Sequence, residues 1–114
     1  MRQVILLAIL TAAALAGCVN TPEPKLAKGL RGSTTLQPYP EWDQRVRQRF
    51  PIGSDESSLL TELHHDNFVL DPRGPGRANY TQYGFPCRQD WGVKWTAQDG
   101  HITEIAGEHS ASCL

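Results

Sequence analysis

The sequence lacks the common signatures of catalysis. It has no HExxH helix for zinc, no CxxC pair and no serine nucleophile elbow. Its glycines do not have the spacing of a phosphate-binding loop. It also lacks a basic stripe. With 11 Lys+Arg against 12 Asp+Glu the formal net charge is −1, which gives no electrostatic case for nucleic acid. Cysteine is scarce, at three residues, while glycine (10) and proline (8) are frequent, so turns and loops are expected rather than a helical bundle.

Long hydrophobic runs are scarce too. The only sustained one extends from Val4 to Ala16. As a helix, at about 1.5 Å per residue, it reaches roughly 20 Å, short of the ~30 Å hydrocarbon core of a bilayer. Its length suits the apolar core of a secretory signal instead. A single early cation, Arg2, precedes it, and Leu15-Ala16-Gly17-Cys18 closes it. This stretch resembles a bacterial lipoprotein signal peptide ending in a lipobox. The resemblance implies cleavage before Cys18, acylation of the Cys18 thiol and attachment to a membrane through that lipid. The alternatives are an ordinary secretory signal and a short uncleaved anchor. In Gram-negative lipoproteins an Asp directly after the lipidated cysteine commonly retains the protein at the inner membrane. Val19 stands there, so the resemblance implies outer-membrane delivery with the domain facing the periplasm.

Three regions are expected: a signal peptide over 1–17, a lipidated cysteine with a flexible tether over 18–39, and one small domain over 40–114. The tether reading rests on few large apolar residues and many Pro, Gly, Lys and Thr. Stretched at about 3 Å per residue, such a tether spans roughly 60–70 Å.

Within the domain the periodicity predicts two short helices. Trp42, Val46 and Phe50 recur at i, i+4 and i+8 behind Pro40. Glu41 and Asp43 favour the positive end of that helix. Arg45, Arg47 and Arg49 lie towards its other end, as a solvated face or an anionic-lipid patch. Ser54 is expected to cap the second helix, with Leu59, Leu60 and Leu63 as its apolar face and Asn67 as its stop. Asp71–Arg77 carries too many breakers for regular structure and reads as a loop between strands.

Beyond Ala78 the pattern turns to β. Trp91, Val93 and Trp95 share one face of a strand, and Gly92, Lys94 and Thr96 the other. The Trp stripe is either core against the helices or the lining of a binding groove. Asp99-Gly100 is a hairpin turn signal. The odd spacing of Ile102 and Ile105 implies a bulge or two buried faces. The fold class is therefore α+β: two short N-terminal helices packed on a small antiparallel sheet of three to four strands.

Cys87 lies twelve residues before Asp99, and Cys113 thirteen after Gly100. An antiparallel hairpin brings the two together, so a disulfide is expected, with two free thiols as the alternative. With Cys18 lipidated, an even pair remains, as suits an oxidising compartment. His64-His65-Asp66 invites a metal reading, but adjacent side chains on a helix point about 100° apart, so exposed residues in a last turn are expected instead.

The stretches FPIGSDESSLLTELHHDNF and WGVKWTAQDGHITEI are similar to the helical half and the closing hairpin of the small BamE/SmpA-type outer-membrane lipoproteins. The similarity covers residues 50–107. It implies a two-helix, antiparallel-sheet domain serving as an accessory subunit in outer-membrane protein assembly. No enzyme activity, cofactor or metal is expected, because the sequence carries no catalytic or metal-binding constellation. Where that family has a Gly-x-Pro turn after the helix, His65-Asp66-Asn67-Phe68 stands here. The expected function is a non-catalytic interaction domain with an envelope protein as partner. The alternative is a periplasmic inhibitor or small-ligand binder. Arg73, Arg77, Trp91 and Trp95 are the candidate interaction surface.

Overall fold

The computed structural model describes residues 21–30 and 39–114. The signal stretch, Cys18 and residues 31–38 of the expected tether lie outside them. Among the described residues, two α-helices and a four-stranded antiparallel sheet make an α+β fold: α1 (Pro40–Arg49), α2 (Glu56–His65), β1 (Val69–Leu70), β2 (Arg77–Gln82), β3 (Cys87–Gln98) and β4 (His101–Cys113). The strands lie in sequence order, β1-β2-β3-β4, as a meander.

The long β3–β4 hairpin is the frame. Asp99 (φ 54°) and Gly100 (φ 79°) both take the left-handed region that a two-residue hairpin turn requires. The register shifts at Thr96/Ala97, where Thr103 is the extra residue. That bulge lets Ile102 and Ile105 both face the core, at 1% and 4% exposure, despite their odd spacing. At the far end Cys87 pairs with Cys113 in register, and the two form a disulfide.

Helix α1 lies against β4. Its Trp42, Val46 and Phe50 stripe is buried. The close approach depends on Gly107, where an added Cβ would come within 2.9 Å of the Trp42 ring and 3.0 Å of Asp43 Cα. Trp42 donates its indole N–H to the Gly92 carbonyl at 2.9 Å, and Asp43 accepts the Gly107 amide at 2.8 Å. Asp43 thus covers a backbone donor on the outer edge of β4 as well as favouring the helix start.

Helix α2 is tied to the hairpin by its N-terminal end. The Gly53 and Ile102 amides donate to Ile102 and Ser54 carbonyls respectively, and Glu56 N–H donates to Gly100. Asp55, not Ser54, holds the N-cap position; the Ser54 hydroxyl turns back to the Pro51 carbonyl. The C-terminal stop is at Asn67, as expected. Asn67 adopts φ 64°, its amide donates to His64 O, and the Phe68 amide donates to Leu63 O, the paired bonds of a Schellman motif.

The helices are not the N-terminal layer of the fold, and the tether expectation needs correction. Within the supposed tether, a 3-10 turn at Lys25–Ala27 is docked on the domain, with Pro24, Leu26 and Ala27 buried. The Asp66 carboxylate, itself 6% exposed, accepts the Lys25 amide at 2.7 Å and the Leu26 amide at 2.9 Å. Arg45 donates to the Leu26 and Lys28 carbonyls at the turn's other end, at 2.9 and 3.0 Å. Tyr80 donates its hydroxyl to Pro22 O at 2.6 Å, and the Thr21 amide donates to Tyr83 O at 3.0 Å. Two apolar residues and an alanine in a polar stretch are enough to pack when the domain supplies acceptors and donors for the backbone around them.

Candidate functional site

The two faces of the sheet differ sharply. Ala78, Tyr80, Trp91, Val93, Trp95 and Ile105 point to the helices and form the core. Trp91 and Trp95 are 1% and 4% exposed. Each indole N–H is used internally, Trp91 to Gln82 Oε1 and Trp95 to Glu56 Oε2. Of the two readings of the Trp stripe, core holds: Trp91 and Trp95, expected on an interaction surface, are interior residues. An aromatic cluster that also includes Trp42, Phe68 and Tyr80 buries too much apolar area to be left open.

The opposite face carries no helix among the described residues. It forms the floor of a shallow concavity of about 920 Å³. Strand alternation puts Arg77, Asn79 and Thr81 of β2, Asp90, Gly92 and Lys94 of β3, and Glu108 and Ser110 of β4 on this floor. Gly92 lies between Asn79 and Glu108 and leaves the centre of the floor without a side chain. Glu108 draws together Lys94 at 3.5 Å and Arg77 at 3.9 Å. On the other side of Gly92, Asp90 accepts the Thr81 hydroxyl at 2.7 Å and the Asn79 amide at 3.4 Å, with Arg88 at 3.4 Å.

One wall comes from the edge strand and the following loop. Val69 and Leu70 are 68% and 56% exposed and give that wall an apolar lip. Asp71 closes a local turn by accepting the Arg73 amide at 2.8 Å, and its carboxylate also accepts the Arg73 guanidinium at 3.2 Å. That guanidinium holds the Asp71 carboxyl below its usual range, and Asp71 raises Arg73 in return. Arg73 itself remains exposed at the rim. The loop base is fixed at Gly76, whose φ of 82° and 2.4 Å approach of a notional Cβ to the Trp95 carbonyl exclude a side chain.

Of the expected surface residues, Arg73 and Arg77 stand at this concavity, whereas Trp91 and Trp95 do not contribute side chains to it. Sequence reasoning placed Gly92 and Lys94 on the outward face by alternation but did not single them out. Asn79, Thr81, Asp90 and Glu108 were missed. The available signal was strand pairing: once β2, β3 and β4 are aligned, these positions fall in one patch. Chemically the patch is a balanced set of three cations (Arg73, Arg77, Lys94) and three anions (Asp71, Asp90, Glu108) around neutral amide and hydroxyl groups. Such a surface matches mixed-charge or hydrogen-bonding partners and is not biased towards polyanions.

The remaining polar candidates serve the fold. Arg47 pairs with Asp43 at 2.9 Å and Arg49 with Glu62, so two of the three α1 arginines are in ion pairs, while Arg45 caps the docked turn. His64 and His65 are exposed at the end of α2. Among the described residues no group of three His, Cys, Asp or Glu is placed to hold a metal ion. His109 lies on the core side, its ring tilted against Trp91 at 4.5 Å between centroids and against Tyr39 at 5.2 Å. Burial lowers its pKa, with Asp90 acting in the opposite direction, and its Nδ1 has no hydrogen-bond partner among the described residues.

Comparison of the chain with protein-family models, curated proteins and solved structures finds no match.

Proposed function

We propose that this chain is an outer-membrane lipoprotein, anchored through acylated Cys18, whose periplasmic α+β domain is a non-catalytic interaction module. On this reading its partner is an envelope protein, and its role is accessory to envelope or outer-membrane protein assembly. The observation that carries the reading is the concave outer face of the sheet. Its floor is polar and charge-balanced, its lip is apolar through Val69 and Leu70, and its side chains are held in place by Glu108 and Asp90. Partially hydrophobic, partially polar surfaces of this kind suit protein recognition. The signal-like stretch before Cys18 and the Cys87–Cys113 disulfide support an extracytoplasmic location. No metal or cofactor is part of this reading.

Photo-crosslinking in living cells tests it. A crosslinker at Asn79 or Thr81, on the floor, is expected to trap one discrete protein adduct, and one at Ser58, exposed on α2, is expected not to. Arg77→Glu with Lys94→Glu should abolish the adduct. Adducts of equal strength from both faces, or from neither, would contradict the reading.

A second reading is favoured by one specific feature. The Arg73 side chain is 89% exposed on a loop stiffened by Asp71, as a residue presented to an enzyme's pocket would be. In that case the domain is a periplasmic inhibitor, and Arg73→Ala alone should remove binding while Arg77→Glu does not.

A further inference from the structure

The docked N-terminal turn fixes where the domain leaves its anchor. Thr21, held by its amide to Tyr83 O, is three residues after Cys18. At no more than about 3.8 Å between successive Cα atoms, the two Cα positions are at most roughly 11 Å apart. The domain therefore has no long leash. Asp66, Arg45 and Tyr80 clamp the segment that follows.

That exit point is the corner of the sheet carrying the chain from β2 to β3. It has two largely exposed aromatic side chains: Tyr83 is 59% exposed and Phe85, in the loop, 81% exposed. Their surroundings do not explain them as core, since the interior aromatics all lie on the helix side. An exposed Tyr and Phe within reach of an acyl anchor have the composition of an interfacial contact, where aromatic rings sit at headgroup level. A lipid chain also gains a second membrane contact most easily at the point nearest its attachment.

We propose that the Tyr83–Phe85 corner rests on the phospholipid surface in which Cys18 is anchored, so that the domain stands on the bilayer with its Asp99-Gly100 hairpin tip pointing away. This rests on acylation of Cys18. With β3 running 12 residues from Cys87 to Gln98, the tip is roughly 40 Å from that corner at about 3.3 Å per residue. The concave face stands upright beside the membrane in this orientation, accessible to a neighbouring envelope protein.

The test uses the full chain purified from membranes and reconstituted in vesicles of phosphatidylethanolamine and phosphatidylglycerol containing brominated phospholipid. Phe85→Trp and, separately, Tyr83→Trp place an indole at the corner; Gln98→Trp places one at the tip. All three positions are exposed, so the core is untouched, and the buried Trp42, Trp91 and Trp95 give a constant background read from the unsubstituted chain. Acylation is read on the same samples by intact mass. The expected result is an acylated chain in which the added indole loses emission at 85 and 83 but not at 98. An acylated chain with no quenching at 85 and 83, or with equal quenching at 98, overturns the contact and leaves the anchor standing. A chain without acyl groups overturns both.

Discussion

Replacing Asp66 is the sharpest test of how the N-terminal turn is held. The carboxylate is buried and its two oxygens accept one backbone amide each, from Lys25 and Leu26. A hydrogen bond to a charged group contributes about 1.5–3 kcal/mol, so Asp66→Ala should weaken docking by roughly 3–5 kcal/mol, discounted because the Lys25 bond is only partly buried. At about 1.4 kcal/mol per tenfold, that raises the undocked population by roughly a hundredfold or more. Asp66→Asn keeps one acceptor oxygen and should lose about half as much. Hydrogen exchange reads this directly at the Ala27 and Lys28 amides, which donate within the turn to Pro24 and Lys25 and do not themselves touch Asp66. Trypsin offers a second readout, since Lys25 and Lys28 become cleavable once the segment lifts. Unchanged exchange at Ala27 and Lys28 would refute the latch. Equal acceleration at Trp91 and Val93 would show that Asp66 supports the whole domain and not this segment.

Three further outcomes follow from the packing. Gly107→Ala drives a Cβ into the Trp42 ring and Asp43, and should lower stability by about 1–3 kcal/mol in a denaturant melt, with Gly92→Ala much milder because its nearest contact is 3.4 Å. Reducing the Cys87–Cys113 bond, which closes a 26-residue separation, removes about 3 kcal/mol in the chain-entropy model. For a domain of this size that lowers Tm by roughly 12–24 °C in a thermal scan with and without reductant. His109 has a lowered pKa from burial, so its contribution is present above the unfolded value near 6.5 and is lost as pH falls below it, when the unfolded chain takes up the proton first. His109→Phe keeps the ring against Trp91 and Tyr39 and should flatten the fall in denaturation midpoint between pH 7.5 and 5.5.

Much of the fold was legible because its signals are local. The Trp42/Val46/Phe50 stripe, the Asn67 stop, the Asp99-Gly100 turn and the alternation through Trp91, Val93 and Trp95 each depend on residues close in sequence. The disulfide was legible for the same reason, since the hairpin turn sets the register that joins Cys87 to Cys113. What could not be read is what depends on distant partners. Asp66 looks like one more acid at a helix end, and only a turn some 40 residues earlier reveals it as an acceptor. Leu26 and Ala27 carry too little apolar area to announce a packed segment. Asp43 reads as a helix-dipole acid, yet it also covers a strand edge 64 residues away. The concave face was hidden in a different way. Polar residues at alternate positions look like any solvated strand, and only the pairing of three strands around Gly92 turns them into one surface.

The indole probes at the Tyr83–Phe85 corner and the crosslinks from the sheet face both depend on the anchor. The most direct test of the account is therefore the intact mass of the chain purified from membranes. The predicted species begins at Cys18, carries acyl groups on that residue and retains the Cys87–Cys113 disulfide. A species still carrying residues 1–17, or one beginning at an unmodified residue and recovered free of membrane, would contradict it.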